Sequence, residues 1–141
     1  MKYVILFIGL IAFCCKESGQ VSPEKDIIIS DEFSAFEDSE MMIQKAEIES
    51  HTLTLSIQYG GGCGEIDYDL YTSGLFMESN PVQLEVVLSF EDNDMCEALI
   101  TKDISFDLKP VAALWKNSYR EASGTVILRL KGYSDSIRYN F

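Results

Sequence analysis

The chain has 141 residues, 47% of them hydrophobic, enough for one ordinary domain with a core and too ordered in composition for a disordered tail. Twenty-three Asp and Glu against eleven Lys and Arg leave a formal charge of −12. Such a surface repels phosphate backbones and anionic head groups, which argues against nucleic acid as a partner and against a polybasic grip on membranes.

Residues 1–15 read MKYVILFIGLIAFCC: one Lys, an apolar run from Tyr3 to Phe13, then two cysteines. At about 1.5 Å per residue the run covers only half of a hydrocarbon core of about 30 Å, so it suits a signal peptide better than a span. An ordinary secretory signal closes on a small-residue cleavage site, whereas this run stops at cysteine. The pattern resembles a bacterial lipoprotein signal, in which a cysteine following the apolar run is acylated and becomes the first mature residue. Cys15 is the expected lipid anchor, because Cys14 and Ala12 then supply the small residues before it. Cys14 is the alternative, with Phe13 standing where a small residue is wanted. Residues 1–14 are thus read as signal peptide. Their removal takes away Lys2 and leaves a net −13.

Residues 15–40 are expected to be a largely irregular tether, with an apolar knot at Ile27, Ile28 and Ile29, a looser Phe33/Phe36 pair, and room for one edge strand. From 41 to 141 the hydrophobic period becomes two, the mark of half-buried strands. Ala46 and Ile48 face inward from a first strand. Across a hairpin at Ser50 and His51, Leu53, Leu55, Ile57 and Tyr59 follow from a second. Ile66, Tyr68 and Leu70 come next, then Val82, Leu84, Val86, Leu88 and Phe90. Ala98, Ile100, Ile104 and Phe106 form another inward set, broken by Thr101, Lys102 and Asp103, where a bulge or turn is expected. Val126, Leu128 and Leu130, then Ile137, Tyr139 and Phe141, complete the series. A single stretch, Pro110 to Arg120, has a helical stripe, of Val111, Leu114, Trp115 and Tyr119. The expected fold is mostly β: an antiparallel β-sandwich, or a small open barrel, of about seven strands with one helical connection near 110–120.

With Cys14 and Cys15 assigned to the signal and anchor, Cys63 and Cys96 remain for the body. An even count in an exported chain reads as a disulfide. Its loop of 33 residues would contribute roughly 3 to 4 kcal/mol by constraining the unfolded chain. Zinc needs three or four Cys or His ligands at short spacing, and the chain has one His and no C-x-x-C in this region. The glycines in YGGGCGEIDYDLY precede strand and acid, not a helix, so a phosphate cradle is not expected. In the acidic turn Glu91-Asp92-Asn93-Asp94, Asp92 and Asp94 with Glu97 form a weak calcium candidate, set against an ordinary solvated turn. No other metal and no cofactor is expected. Catalysis by a Ser-His or Cys-His pair would need His51 as base, and no nucleophile-elbow motif accompanies it. Trp115 and the tyrosines suit stacking on sugar rings, although a Trp on the apolar stripe of a capping helix is expected in the core.

Three segments, Tyr59-Gly-Gly-Gly-Cys63-Gly-Glu65, Asp94-Met-Cys96-Glu97-Ala98 and Ser105-Phe-Asp-Leu-Lys-Pro110, together resemble a group of small lipoproteins from Bacteroidetes-type bacteria with no assigned activity. The likeness covers about residues 51–112 and the signal. Relatives carry His where this chain has Ile66, a departure that counts further against a metal role. The resemblance implies an envelope lipoprotein. The reading is a non-enzymatic, lipid-anchored cell-envelope protein, facing the periplasm or the cell surface, with a structural role or with another envelope protein as partner. The alternative is a small-ligand or glycan-binding module, calcium-assisted, at the loops near the Cys63–Cys96 bridge.

Overall fold

The computed structural model describes residues 23–31, 41–92 and 95–141. The signal, both anchor candidates, Phe33, Phe36 and Asp94 lie outside them. Among the described residues ten strands and one helix follow in the order β1 (Lys25–Asp26), β2 (Ile28–Ile29), β3 (Met41–Glu49), β4 (Thr52–Gly61), β5 (Ile66–Thr72), β6 (Phe76–Met77), β7 (Val82–Asp92), β8 (Ala98–Asp107), α1 (Lys109–Tyr119), β9 (Thr125–Leu130) and β10 (Ile137–Asn140). They form two sheets, β1-β8-β4-β3 and β10-β9-β7-β5-β2, with β6 taking over from β5 along β7. The architecture is a β-sandwich and not a closed barrel.

The inward sets of β4, β5, β7 and β9 meet as the alternation requires. Leu53, Leu55, Ile57, Leu70, Leu84, Val86 and Leu128 are all essentially inaccessible, packed with Ile104 and Phe106 from β8. Burial of such side chains is the main source of stability, at about 1.5 to 3 kcal/mol each.

Three expectations are corrected. The sheets are mixed, not purely antiparallel: β7 pairs parallel with β9, β1 with β8, and β2 with β5. Local periodicity specifies which face a strand buries and carries no information on which neighbour it pairs with. The bulge lies not at Thr101–Asp103, where β8 keeps an unbroken register against β4, but between Ile43 and Lys45 in β3. An extra residue there shifts the inward parity from Met41 and Ile43 to Ala46 and Ile48. Helix α1 buries Val111, Ala112 and Trp115, while Tyr119 stands 42% exposed.

The helix begins where Asp107 at the end of β8 accepts the Lys109 backbone N–H (2.8 Å) and its Nζ (3.0 Å). Burial alone would push the Asp107 carboxyl up, but these two Lys109 donors outweigh it and hold the pKa below the ordinary carboxylate value. Arg120 ends the helix in the left-handed region (φ 60°), its N–H bonded to the Lys116 carbonyl (2.9 Å).

The segment expected as tether contributes directly to the sandwich. Glu24 donates its N–H to the Ser105 carbonyl, and Ile27 to that of Asp107, both in the four-stranded sheet. Ser30 donates to Thr72 in the other sheet (2.9 Å). One short segment therefore crosses from sheet to sheet, and Ile27, 3% exposed, plugs the gap between them.

Ile27→Ala should lower the urea midpoint by the equivalent of about 2 to 5 kcal/mol. A loss under roughly 1 kcal/mol, the scale of an exposed site, would mean that the segment is not part of the folded unit. Asp107 supplies a pH-dependent contribution of known sign. Because its folded pKa lies below that of the unfolded chain, it stabilises the fold at neutral pH, and this stabilisation disappears as pH falls through the depressed value. Asp107→Asn should therefore flatten the stability–pH curve below about pH 4.

Candidate functional site

Both chain crossings at one end of the sandwich, β4 to β5 and β7 to β8, pass between the sheets, and Cys63 and Cys96 sit in them. The two are joined by a disulfide with Cα atoms 5.9 Å apart. The approach depends on the glycines before Cys63. Gly62 has φ +110°, and a Cβ there would come within 2.9 Å of Ile100 Cδ1. At Gly61 a side chain would run into the Asp92 carboxylate.

Beside the bridge a cleft of about 470 Å³ opens between the sheets, lined by Lys25, Tyr59, Glu65, Tyr68 and Lys102 among others. Tyr68 is its centre. Its ring packs edge-on against Phe106 (centroids 5.9 Å apart), and its hydroxyl donates to Glu24. Burial, with the hydrogen bond to the negatively charged Glu24 carboxylate, pushes the phenol up to about 12. Lys25 Nζ lies 4.7 Å from the ring centroid and Lys102 Nζ 5.6 Å from it, both within cation–π range. The Lys25 ammonium donates to the Tyr68 carbonyl (2.6 Å), Asp69 Oδ1 (3.1 Å) and Asp67 Oδ1 (3.2 Å). Burial opposes its charge, yet the Asp69 and Asp67 partners raise its pKa overall.

Lys102 explains the break in the β8 pattern. It pairs opposite Ile57 and so shares the inner face of the sheet while remaining exposed at the cleft, where its ammonium reaches the Tyr68 ring. Among the described residues it has no carboxylate within ion-pair distance.

Of the three calcium candidates, two lie among the described residues. Asp92 ends β7 opposite Ile66, Glu97 is exposed, Asp94 is outside, and among the described residues no group of three His, Cys, Asp or Glu side chains with metal-holding geometry occurs. His51 has Nδ1 2.6 Å from the Tyr139 hydroxyl, which also faces the Leu108 carbonyl at 3.3 Å. That contact joins the β3–β4 hairpin to β10, and its partner is a phenol, not a Ser or Cys nucleophile. Burial, with the Asp107 charge, raises the Tyr139 pKa. The cleft itself was not legible in the sequence. Its one signal was a lysine at an inward position.

No protein-family model matches the chain, and no curated protein does. Among solved structures it is similar to a protein of unknown function from Bacteroides vulgatus, with 13% identity over 86% of this chain and 56% of that one and a TM-score of 0.49. A candidate toxin-related protein from Parabacteroides distasonis gives 14% identity, 83% and 59% coverage and a TM-score of 0.50. A candidate lipoprotein from Bacteroides fragilis gives 9% identity, 84% and 68% coverage and a TM-score of 0.48. The chain spans little more than half the length of the first two, and the likeness at 0.50 is one of fold alone.

Titration of the denatured, unreduced protein should find no free thiol at Cys63 or Cys96, and two reactive thiols in the body would refute the bridge. Cys63→Ser combined with Cys96→Ser should cost roughly 3 to 4 kcal/mol in denaturant unfolding.

Proposed function

We propose that the chain is a lipid-anchored protein of a bacterial cell envelope with a binding role and no catalytic one, its partner being another envelope protein. The observation that carries this reading is the Cys63–Cys96 disulfide, a bond that persists in compartments outside the reducing cytosol. The apolar run ending at Cys14 and Cys15 supplies the matching export and acylation signal. From Cys15 to Pro23, the first described residue, the chain reaches at most about 26 to 29 Å when fully extended. Acylation at Cys15 would therefore hold the Lys25 side of the sandwich close to the bilayer.

Two features at the bridge end support a binding role. Met95, 97% exposed, and Leu99 present large apolar side chains to solvent. The neighbouring cleft holds an ammonium, that of Lys102, without a carboxylate partner among the described residues. Among the described residues the partner of the His51 ring is the Tyr139 hydroxyl at Nδ1, a buried phenol and not a Ser or Cys nucleophile.

Metabolic labelling with palmitate should mark the wild-type chain, persist in Cys14→Ser and vanish in Cys15→Ser. Label surviving in the double variant would end the anchor reading. Extraction of labelled membranes in mild detergent should bring down one stoichiometric protein. Absence of any partner, with thermal stabilisation by a small ligand in its place, would favour the small-ligand alternative.

A further inference from the structure

At the end of the sandwich opposite the bridge, the cis Asn80–Pro81 peptide, the exit of α1 and the start of β9 enclose a groove of about 290 Å³. We propose that this groove binds a neutral pyranose ring. The inference goes beyond the anchoring reading and holds whether or not the chain is acylated.

Its walls combine a fixed aromatic surface with uncommitted polar groups. Trp115 forms one wall, 7% exposed and seated on Gly124, where a Cβ would come within 2.5 Å of indole Cη2 and Cζ2. Tyr119 forms another. It falls on the helical stripe by sequence, yet it stands 42% exposed, braced between Trp115 (centroids 5.0 Å apart) and Phe76 (5.9 Å). A braced, half-exposed ring is a platform whose rotamer entropy is already spent, the property that makes Tyr effective in recognition. Around these rings Asn80, Glu121 and Ser123 line the groove and make no hydrogen bond to any described residue. Between them they offer an amide with both donors and acceptor, a hydroxyl and a carboxylate. The Trp115 Nε1–H is also buried without an acceptor among the described residues, a state that costs stability and asks for an explanation.

The chemistry of these groups selects the ligand class. A volume near the lower end of the range for small-molecule pockets, roughly 300 to 1,000 Å³, has room for one saturated ring. A ring with an apolar C–H face and several equatorial hydroxyls matches aromatic walls with a polar rim. Glu121 is the charged group in the lining and no lysine or arginine accompanies it, so phosphorylated or carboxylated ligands are disfavoured. A stacked nucleobase would bring a phosphate backbone to a chain of charge −12. A proline-rich peptide would need an extended track of aromatic residues.

Trp115 is the single tryptophan of the chain, so its indole N–H cross-peak and its fluorescence are assigned without ambiguity to a residue that lines this groove. The detergent-solubilised full-length protein, ¹⁵N-labelled, would be titrated into the millimolar range with glucose, galactose, mannose and N-acetylglucosamine separately. The expected result is a saturable shift of the Trp115 indole cross-peak with at least one sugar. Tyr119→Ala and Asn80→Ala should each weaken that binding by about tenfold, close to 1.4 kcal/mol, with the rest of the amide spectrum unchanged, while Tyr119→Phe retains it. Silence of the indole peak with all four sugars overturns the proposal. So does a shift of equal affinity in both alanine variants, or a response confined to a proline-rich peptide. Palmitate labelling reads out the anchor separately.

Discussion

Two stacked sheets bury their inner faces against each other, but a sandwich that does not close into a barrel keeps sides where the core would meet water. Here one such side is spanned by Glu24–Ser30, whose backbone bonds first to β8 and then to β5 with Ile27 between them. Seven residues, four of them in two short strands, would contribute little by themselves. Their effect comes from position, because the same few hydrogen bonds fix the separation of the sheets and seat an apolar plug in the gap. Across the sandwich β3 and β10 approach each other, and the His51–Tyr139 contact ties them at the helix end. The core is thus held on both sides by short polar links around a long apolar interior.

The two ends of the sandwich are secured differently. At one, a covalent bridge joins two loops that each change sheet, so glycine can be spent freely around Cys63 without leaving the loops unconstrained. At the other, helix α1 carries the chain from β8 in one sheet to β9 in the other, and aromatic packing of Trp115, Tyr119, Phe141 and Tyr139 does the work of the bridge. Asp107 lies at the hinge between strand and helix, accepting from Lys109, and its depressed pKa reports that the helix start is one of the charge-dependent points of the fold.

Much of this was legible in the residues. Strict alternation in β4, β5 and β9 gave the buried faces correctly, since period two admits one answer once a face is apolar. Pairing was less legible. β7 has the same pattern whether its neighbour is antiparallel or parallel, and only the three-dimensional path through β8 and α1 brings β9 alongside it. The β3 bulge was present in the sequence as a parity change from Ile43 to Ala46, masked by Lys45 and Glu47 sharing the outward face. Lys102 was visible as an interruption, but an interruption reads as a turn until the facing sheet supplies Tyr68. Tyr119 satisfied the helical stripe and still came out exposed, because Trp115 and Phe76 occupy the space beneath it. The bridge pairing needed no geometry, only the removal of Cys14 and Cys15 from the count.

Both cavities share a constructional feature that links stability to binding. In the cleft, Lys102 and Tyr59 belong to the four-stranded sheet and Tyr68 to the other. In the helix-end groove, Pro81, Val82 and Thr125 border strands of the six-stranded sheet, while Trp115 and Tyr119 ride on the helix that leaves the four-stranded one. Neither cavity lies on a single rigid element: the distance between the walls of the cleft is the distance between the sheets, and that of the groove is set by the seat of α1 on the six-stranded sheet. A displacement of about 1 Å there is enough to spoil a hydrogen-bonded, stacked ligand pose. The links that hold the sheets in register, Ile27 on one side, the bridge at one end and the Trp115 cluster at the other, therefore set the shape of both cavities as well as the stability of the core.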